Sequence, residues 1–264
     1  MTARISRLLQ RRRPMRLAAL PVLALAAALP AMAADPIISD SRLFTDDRRV
    51  ALLEMKIASL QREVNLIEDM KAIERLQQSF GHYISEGMAG EAAALFSDQP
   101  QASIEFAQQG VYLGRARIEA FLDALGVKAG SGLLRETPTM QGVVHVAADG
   151  QTAKGRWRSL VMAGRAGQDG RWIEGPYENE YVKEGGVWRI AKLHWYTTVD
   201  ASYDQGWHKA PNPAEGPLPQ LPPDRPPSIE YKAFPTFFLP PYHYFNPITG
   251  LPVAWDRPAS GVAK

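Results

Sequence analysis

The segment Tyr177–Tyr196, YENEYVKEGGVWRIAKLHWY, decides the fold. It reads as two β-strands joined at Gly185-Gly186, a two-residue connection that closes a hairpin. With those glycines as the loop, Trp188 faces Lys183, Ile190 faces Tyr181, Lys192 faces Asn179 and His194 faces Tyr177. All of these share one face, with Tyr196 beyond. The other face carries Glu178, Glu180, Val182, Arg189, Ala191, Leu193 and Trp195. The first face grades from apolar anchors near the turn to polar groups further along, as a pocket with a packed floor and a functional mouth requires. A three-residue loop, or a bulge near Lys192, would swap the faces and make Glu178 and Trp195 the pocket residues.

An earlier hairpin pairs Met140–Ala147 with Thr152–Val161 about Asp149-Gly150. His145 then pairs with Lys154, Val143 with Arg156 and Gln141 with Arg158. Met140, Gly142, Val144, Val146, Ala153, Gly155 and Trp157 form the core side, so His145 looks outward, to solvent or another subunit. Before this hairpin, helices are expected at Gly90–Phe96 and Arg115–Leu125, with a short strand at Ser103–Phe106. Residues 46–67 read as a helix in which Val50, Leu53, Ile57, Leu60, Val64 and Ile67 form an a/d heptad seam. The pattern slips at Lys71 and resumes at Ile73, Leu76, Phe80 and Tyr83. Two roles stand open for this helix: a coiled coil joining subunits, or a helix lying along its own domain.

The chain ends are of different character. Residues 1–33 carry six arginines and no acid, then an apolar run from Leu17 to Leu29, then Ala31-Met32-Ala33. That is the three-part pattern of a secretory signal, which predicts an exported protein, periplasmic or secreted. An uncleaved anchor is the competing reading, but the apolar run is short for a bilayer and Pro21 interrupts it. Without those residues 24 basic groups face 28 acidic ones, a net of −4. There is then no electrostatic case for nucleic-acid binding, and no membrane association is expected once the signal is removed. The chain has no cysteine, which excludes disulfides and thiolate chemistry. After Trp207, residues 208–264 turn proline- and aromatic-rich, with fourteen prolines between 211 and 258. This tail reads as a strap packing on the domain or on a neighbour, with FFLPPYHYFNPITG as its docking point; a disordered polyproline tail is the alternative.

AIERLQQSFGHY from Ala72, LFSD from Leu95, YLGRARIEAFL from Tyr112, DGQTAKGRW from Asp149 and the Tyr177–Tyr196 hairpin together resemble the SnoaL-like branch of the nuclear transport factor 2-like superfamily. The resemblance covers residues 68–207. It implies an α+β cone: a curved antiparallel sheet wrapped around N-terminal helices, enclosing an apolar cavity. It also implies cofactor-free acid–base chemistry of lyase, dehydratase or isomerase type on a small hydrophobic, aromatic or polyketide-like molecule, or non-catalytic ligand binding or assembly. The chain departs from the dehydratase pattern. The helix-borne acid falls near Ser85, with Glu86 beside it, and the strand histidine falls near Thr139.

The expected catalytic residues are therefore His194 as general acid or base, Tyr177 as hydrogen-bond donor to an oxyanion and Lys192 as a charge beside a phenolic substrate. Tyr83, Trp157, Asn179, Tyr181, Trp188 and Tyr196 are the expected substrate-binding residues. The bland alternative is a satisfied His194–Tyr177 cross-strand pair within an aromatic core. No phosphate loop, paired-histidine metal motif or serine elbow is present, so neither a metal nor an organic cofactor is expected. The heptad helix and the strap predict a homo-oligomer, dimer or trimer.

Overall fold

The computed structural model describes residues 46–125, 130 and 132–254; the expected export signal and the last ten residues of the strap lie outside the described residues. The chain divides into two compact units at Met55. Of the first, only the opening turns of one helix are described. No helix among the described residues is long and apolar enough to cross a membrane.

Helix α1 runs unbroken over Asp46–Ser85. The slip at Lys71 thus moves the apolar stripe around the helix without breaking it. Ile73, Gln77, Phe80 and Ile84, at helical spacing, are buried. Two short helices follow, α2 at Ala89–Ala94 and α3 at Arg115–Ala124, the latter burying Ile118, Phe121 and Leu122.

Eight strands make one open curved sheet: β1 Ser103–Phe106, β2 Val111–Leu113, β3 Leu133–Glu136, β4 Thr139–Val146, β5 Thr152–Arg165, β6 Asp169–Glu184, β7 Val187–Trp195 and β8 Val199–Ser202. Their order is β2-β1-β7-β6-β5-β3, with β4 also on β5 and β8 also on β6. The long hairpin of β5 and β6 forms its spine, turning between Arg165 and Asp169. Between Val161 and Tyr177, four glycines and Pro176 make the chain look like loop in the sequence. Pro176 is tolerated because β6 changes partners there, from β8, which ends its pairing at Glu174, to β7, which begins at Tyr177. A Cβ on Gly175 would stand 1.8 Å from the Tyr196 carbonyl oxygen, so only glycine permits this crossing.

Two bulges reset the faces. In the β6–β7 hairpin the turn-side pairs are Lys183 with Trp188 and Tyr181 with Ile190, but the ladder then slips to Glu180 with Lys192 and Tyr177 with Trp195. Ala191 is the extra residue. His194 therefore does not face Tyr177; beyond the bulge, Lys192, His194 and Tyr196 point to the sheet face away from α1, while Leu193 and Trp195 point to the core. A carboxamide repairs the ladder, since His194 N–H donates to Asn179 Oδ1 at 3.1 Å. In β4–β5, His145 pairs with Lys154 and Val143 with Arg156, but Arg158 pairs with Met140 and not Gln141. Gln141 adopts φ 54° at this bulge. Gly142 gives the Trp157 ring its place, for a Cβ there would lie 2.2 Å from it. Met140 is consequently turned outward.

After β8 the chain circles the domain. Pro211 bridges to Ala201, and Gln108 N–H donates to the Glu215 carbonyl. Leu218 and Leu221 pack against the core. Arg225 then bridges to Val111 at the sheet edge, and Tyr231, Phe238 and Pro241–Tyr244 cross the outer face. Prolines lack N–H groups but keep their carbonyls. The strap accordingly accepts hydrogen bonds from the domain: Tyr112 donates to Leu221 O, Arg117 to Pro222 O, Gln108 to Ile229 O and Arg156 to Pro241 O.

Candidate functional site

The bulge at Ala191 distributes the expected site residues over both faces of the sheet. Trp157, Asn179 and Tyr181 meet on the inner face and close on α1. Trp157 Nε1 donates to Tyr181 Oη at 2.8 Å, and Tyr181 Oη donates to Gln77 Oε1 at 2.9 Å. Asn179 Nδ2 donates to the same Gln77 oxygen at 2.8 Å. Trp188 lies further toward the turn, where its Nε1 donates to Asp69 of α1 and Lys183 lies over its ring. These four residues are structural anchors between sheet and helix. Tyr83 is half-buried beside α2 and α3, lining a cleft with Met88, Ala116 and Ala120 that includes none of the other expected site residues.

The outer face received His194, Lys192 and Tyr196. His194 is 1% exposed and stacks on Tyr196 with ring centroids 3.8 Å apart. Glu105 Oε2 lies 3.5 Å from its Nδ1, which favours the imidazolium, but both Glu105 oxygens already accept from Ser228. Burial opposes the charged ring more strongly, Lys192 adds repulsion, and the pKa is pushed down to about 3. A ring so sealed is no proton shuttle near neutral pH. One row along, Arg156 pairs with Glu178, Glu178 bonds His243 at 2.8 Å, and His243 bonds His145 at 3.0 Å. His145 does point outward, but the chain's own strap meets it.

Tyr177 stayed inside, and the groups around it were not visible as a set in the sequence. Its ring stacks on Trp195, and Phe106 packs edge-on to both. Burial holds its phenol protonated well above the ordinary range, although the charge of Arg135 works against that. Around it stand polar atoms sealed from solvent and without partners: Ser159 Oγ, Trp195 Nε1, Arg135 Nε and Thr139 Oγ1. Ser159 sits beside Tyr177, close enough to affect its proton but without full hydrogen-bond geometry. Register explains the gathering. Thr139 is the cross-strand partner of Ser159, Ser159 of Gly175, and Trp157 of Tyr177, which pairs with Trp195. Trp195 Nε1 lies 3.1 Å from where a Gly175 Cβ would stand.

A groove of about 380 Å³ runs between α1 and the β3–β4 corner and shares Thr139 with this cluster. Gln78, Gly81, His82, Ser85, Glu136 and Thr139 are among its lining residues. Gly81 keeps it open, since a Cβ there would press within 3.0 Å of Thr139 Oγ1. Ser85 and Thr137 hydroxyls bond at 2.5 Å across its wall. Thus the two positions where the dehydratase pattern would set an acid and a histidine, near Ser85 and Thr139, do line one groove, and here they carry hydroxyls. The titratable groups of the groove are His82 and Glu136. His82 stands in the GHY run, but a helix-end histidine carries no local signal separating a rim residue from a solvated one. Among the described residues no group of three or more His, Asp or Glu side chains could hold a metal ion.

Residues 65–194 match the SnoaL-like domain family. The chain contains a SnoaL-like domain. Solved structures are similar to it over part of its length. An NTF2-like protein with a cystatin-like fold from Novosphingobium aromaticivorans is 18% identical, covering 58% of this chain and 93% of that one with a TM-score of 0.45. A hexachlorocyclohexane dehydrochlorinase, LinA type 2, is 16% identical over 53% and 92% of the two chains, TM-score 0.46. ActVI-ORFA of Streptomyces coelicolor is 14% identical over 48% and 96%, TM-score 0.42. No curated protein matches the sequence significantly.

Proposed function

We propose that the protein is exported and that its SnoaL-like domain takes a small hydrophobic, aromatic molecule through the groove beside Gly81, performing cofactor-independent acid–base chemistry of lyase, dehydratase or isomerase type. The observation carrying this reading is the set of unpartnered polar atoms around Tyr177, whose ring packs on Phe106 and Trp195, with Thr139 of that set also lining the groove. Buried polar groups without partners are rare in folded proteins and mark places where a ligand or water belongs. In this scheme Tyr177 and Ser159 donate hydrogen bonds to developing negative charge, and His82 or Glu136 moves the proton at the rim. His194, with its pKa far below neutral and its ring on the other face, takes no part. The test is a turnover and tryptophan-fluorescence screen of the mature protein against aromatic hydroxy compounds, with Tyr177→Phe and His82→Ala. Binding that both variants leave unchanged would remove this site from consideration. Export is tested by fractionation and by an N-terminus at Ala34.

A second reading, assembly, is favoured by the seam of α1. Val50, Leu53, Ile57, Leu60, Val64 and Ile67 are all exposed, from 46% at Val64 to 64% at Ile57. The a positions hold β-branched Val50, Ile57 and Val64, and two of the three d positions hold leucine, the arrangement that favours two parallel strands. The occupant of this face is accordingly the same helix of a second copy, forming a dimer. Dimerisation and ligand binding are compatible, because the seam precedes the part of α1 that lines the groove.

A further inference from the structure

The strap sets His243 between two residues of the outer sheet face, and its hydrogen bonds fix the tautomers of both histidines there. The Glu178 carboxylate, paired with Arg156, can only accept, so His243 Nδ1 donates to it at 2.8 Å. With both rings neutral, His243 Nε2 then carries a lone pair and accepts from His145 Nδ1 at 3.0 Å. His145 Nε2 is left with a lone pair and no hydrogen-bond partner among the described residues. Burial, and after it the neighbouring His243, lowers the pKa of His145 from 6.5, so this lone pair is free at neutral pH. The group is held in place from the strap side, where Tyr244 stacks on His145 and Arg156 lies 3.8 Å from the Tyr242 ring centroid.

His145 and His243 both line a cavity of about 430 Å³ on this face, opposite the loop residues Ser97, Gln99 and Gln101. It shares no lining residue with the groove beside Gly81. Register places Lys154 directly opposite His145, with Glu180 on the other side of Lys154 and Lys192 beyond Glu180. Directly opposed residues stand about 4.5–5.5 Å apart at Cβ, so the Lys154 ammonium works within reach of the free imidazole nitrogen. Lys154 is exposed, lines the cavity and forms no ion pair among the described residues.

We infer that this cavity is a second catalytic site that hydrolyses small carboxylic esters, with His145 as general base and Glu178 and His243 as the positioning relay behind it. His145 is exposed, so the nucleophile that meets its Nε2 is water. As the water oxygen bonds to the ester carbon, its proton passes to His145 Nε2 and the His145 Nδ1 proton passes to His243 Nε2. The carbonyl π pair moves onto oxygen, where the Lys154 ammonium stabilises the negative charge. The positive charge gained by the relay rests on His243 against the Glu178 carboxylate, and not on His145, where burial disfavours it. The oxygen pair then re-forms the carbonyl, the carbon–oxygen bond to the alcohol breaks, and the relay returns its proton to the departing alkoxide. The products are the acid and the alcohol.

The experiment follows hydrolysis of 4-nitrophenyl acetate by the mature protein across pH, with circular dichroism as the check on folding. His145→Gln, at an exposed position, should keep the fold and lower kcat on the order of a hundredfold. His208→Gln, at an exposed histidine outside the cavity, should leave the rate unchanged. His243→Gln should lower kcat at unchanged KM and move the acidic limb of the pH profile to lower pH, because the proton on the base is no longer stabilised by Glu178. Glu178→Gln should move that limb the same way and decides the relay if His243→Gln loosens the strap. Lys154→Met should lower kcat. Hydrolysis no faster than that by free imidazole at equal concentration, or a rate that survives His145→Gln, would overturn the site. A pH profile that neither His243→Gln nor Glu178→Gln moves would overturn the relay, and an acetyl group trapped on His145 would overturn water activation.

Discussion

Replacing Tyr181 by phenylalanine tests how far a buried hydrogen-bond network holds the sheet to helix α1. The hydroxyl accepts from Trp157 Nε1 at 2.8 Å and from Asn179 Nδ2 at 3.2 Å, and donates to Gln77 Oε1 at 2.9 Å. On its removal Asn179 Nδ2 and Gln77 Oε1 keep each other at 2.8 Å, so neither of these atoms loses its last partner. Trp157 Nε1 loses its partner within a buried cluster. One orphaned buried donor costs about 1–3 kcal/mol, and the hydrogen bond to Gln77 adds about 1 kcal/mol, for an expected loss of about 2–4 kcal/mol. Urea unfolding followed by tryptophan fluorescence should show a lower midpoint at unchanged slope, the shift being about 1 M or more at a slope of about 2–3 kcal/mol/M. Introducing Trp157→Phe into the same background removes the orphan, so the two losses should fall short of additivity by about 1 kcal/mol or more. A loss under about 0.5 kcal/mol, or strictly additive losses, would show that water reaches this junction and that the network does not bind α1 to the sheet.

Three further outcomes are expected. His194 is held neutral in the fold, whereas the unfolded chain takes up a proton below its ordinary 6.5; its stabilising contribution is therefore complete above that pH and is lost as pH falls toward about 3, at up to about 1.4 kcal/mol per unit. Urea titrations at pH 7 and pH 5 should thus differ by about 2 kcal/mol more in the native protein than in His194→Gln, and equal differences would contradict the burial argument. Gly142→Ala drives a methyl to 2.2 Å from the Trp157 ring; a loss of about 1–3 kcal/mol and an altered near-ultraviolet tryptophan spectrum are expected, whereas an unchanged melting curve would show that the ring has room to move. Ile57→Lys with Val64→Lys charges two exposed seam positions; sedimentation should shift from dimer to monomer while the melting temperature measured at low concentration changes little, and a dimer that survives would place the subunit contact elsewhere.

Local pattern made the architecture legible. Gly185-Gly186 and Asp149-Gly150 closed their hairpins as turn chemistry dictates, and the turn-side pairs Lys183–Trp188 and Tyr181–Ile190 followed directly. Short-range periodicity likewise marked α3 and the SIEF strand at Ser103–Phe106. The site was less legible, because it depends on which face each strand residue takes beyond a bulge. One extra residue at Ala191 moved His194, Lys192 and Tyr196 from the expected pocket to the outer face, and brought Leu193 and Trp195 in. The bulge has no sequence signature of its own: it is stabilised by the Asn179 carboxamide reaching across to His194 N–H, a contact between strands. The strand-rich middle was missed for a similar reason. Its glycines and Pro176 look like loop residues, but they are required where β6 exchanges β8 for β7 and where backbones approach too closely for a side chain.

The sequence by itself determined the class of this protein. An a/d seam, two turn-closed hairpins and a SnoaL-like pattern follow from side-chain periodicity and turn preference, which act between residues close in the chain. Only the tertiary structure decided the site. The gathering of Arg135, Thr139, Ser159, Tyr177 and Trp195 joins five strands whose register is set by bulges and partner exchange, and the closure of the outer face over His194 depends on a strap arriving from more than thirty residues away. Such contacts are long-range, and they depend on which polar groups find partners once water is excluded. A hydroxyl or guanidinium looks the same in a sequence whether it is satisfied or left waiting; burial and the absence of a neighbour are what distinguish them.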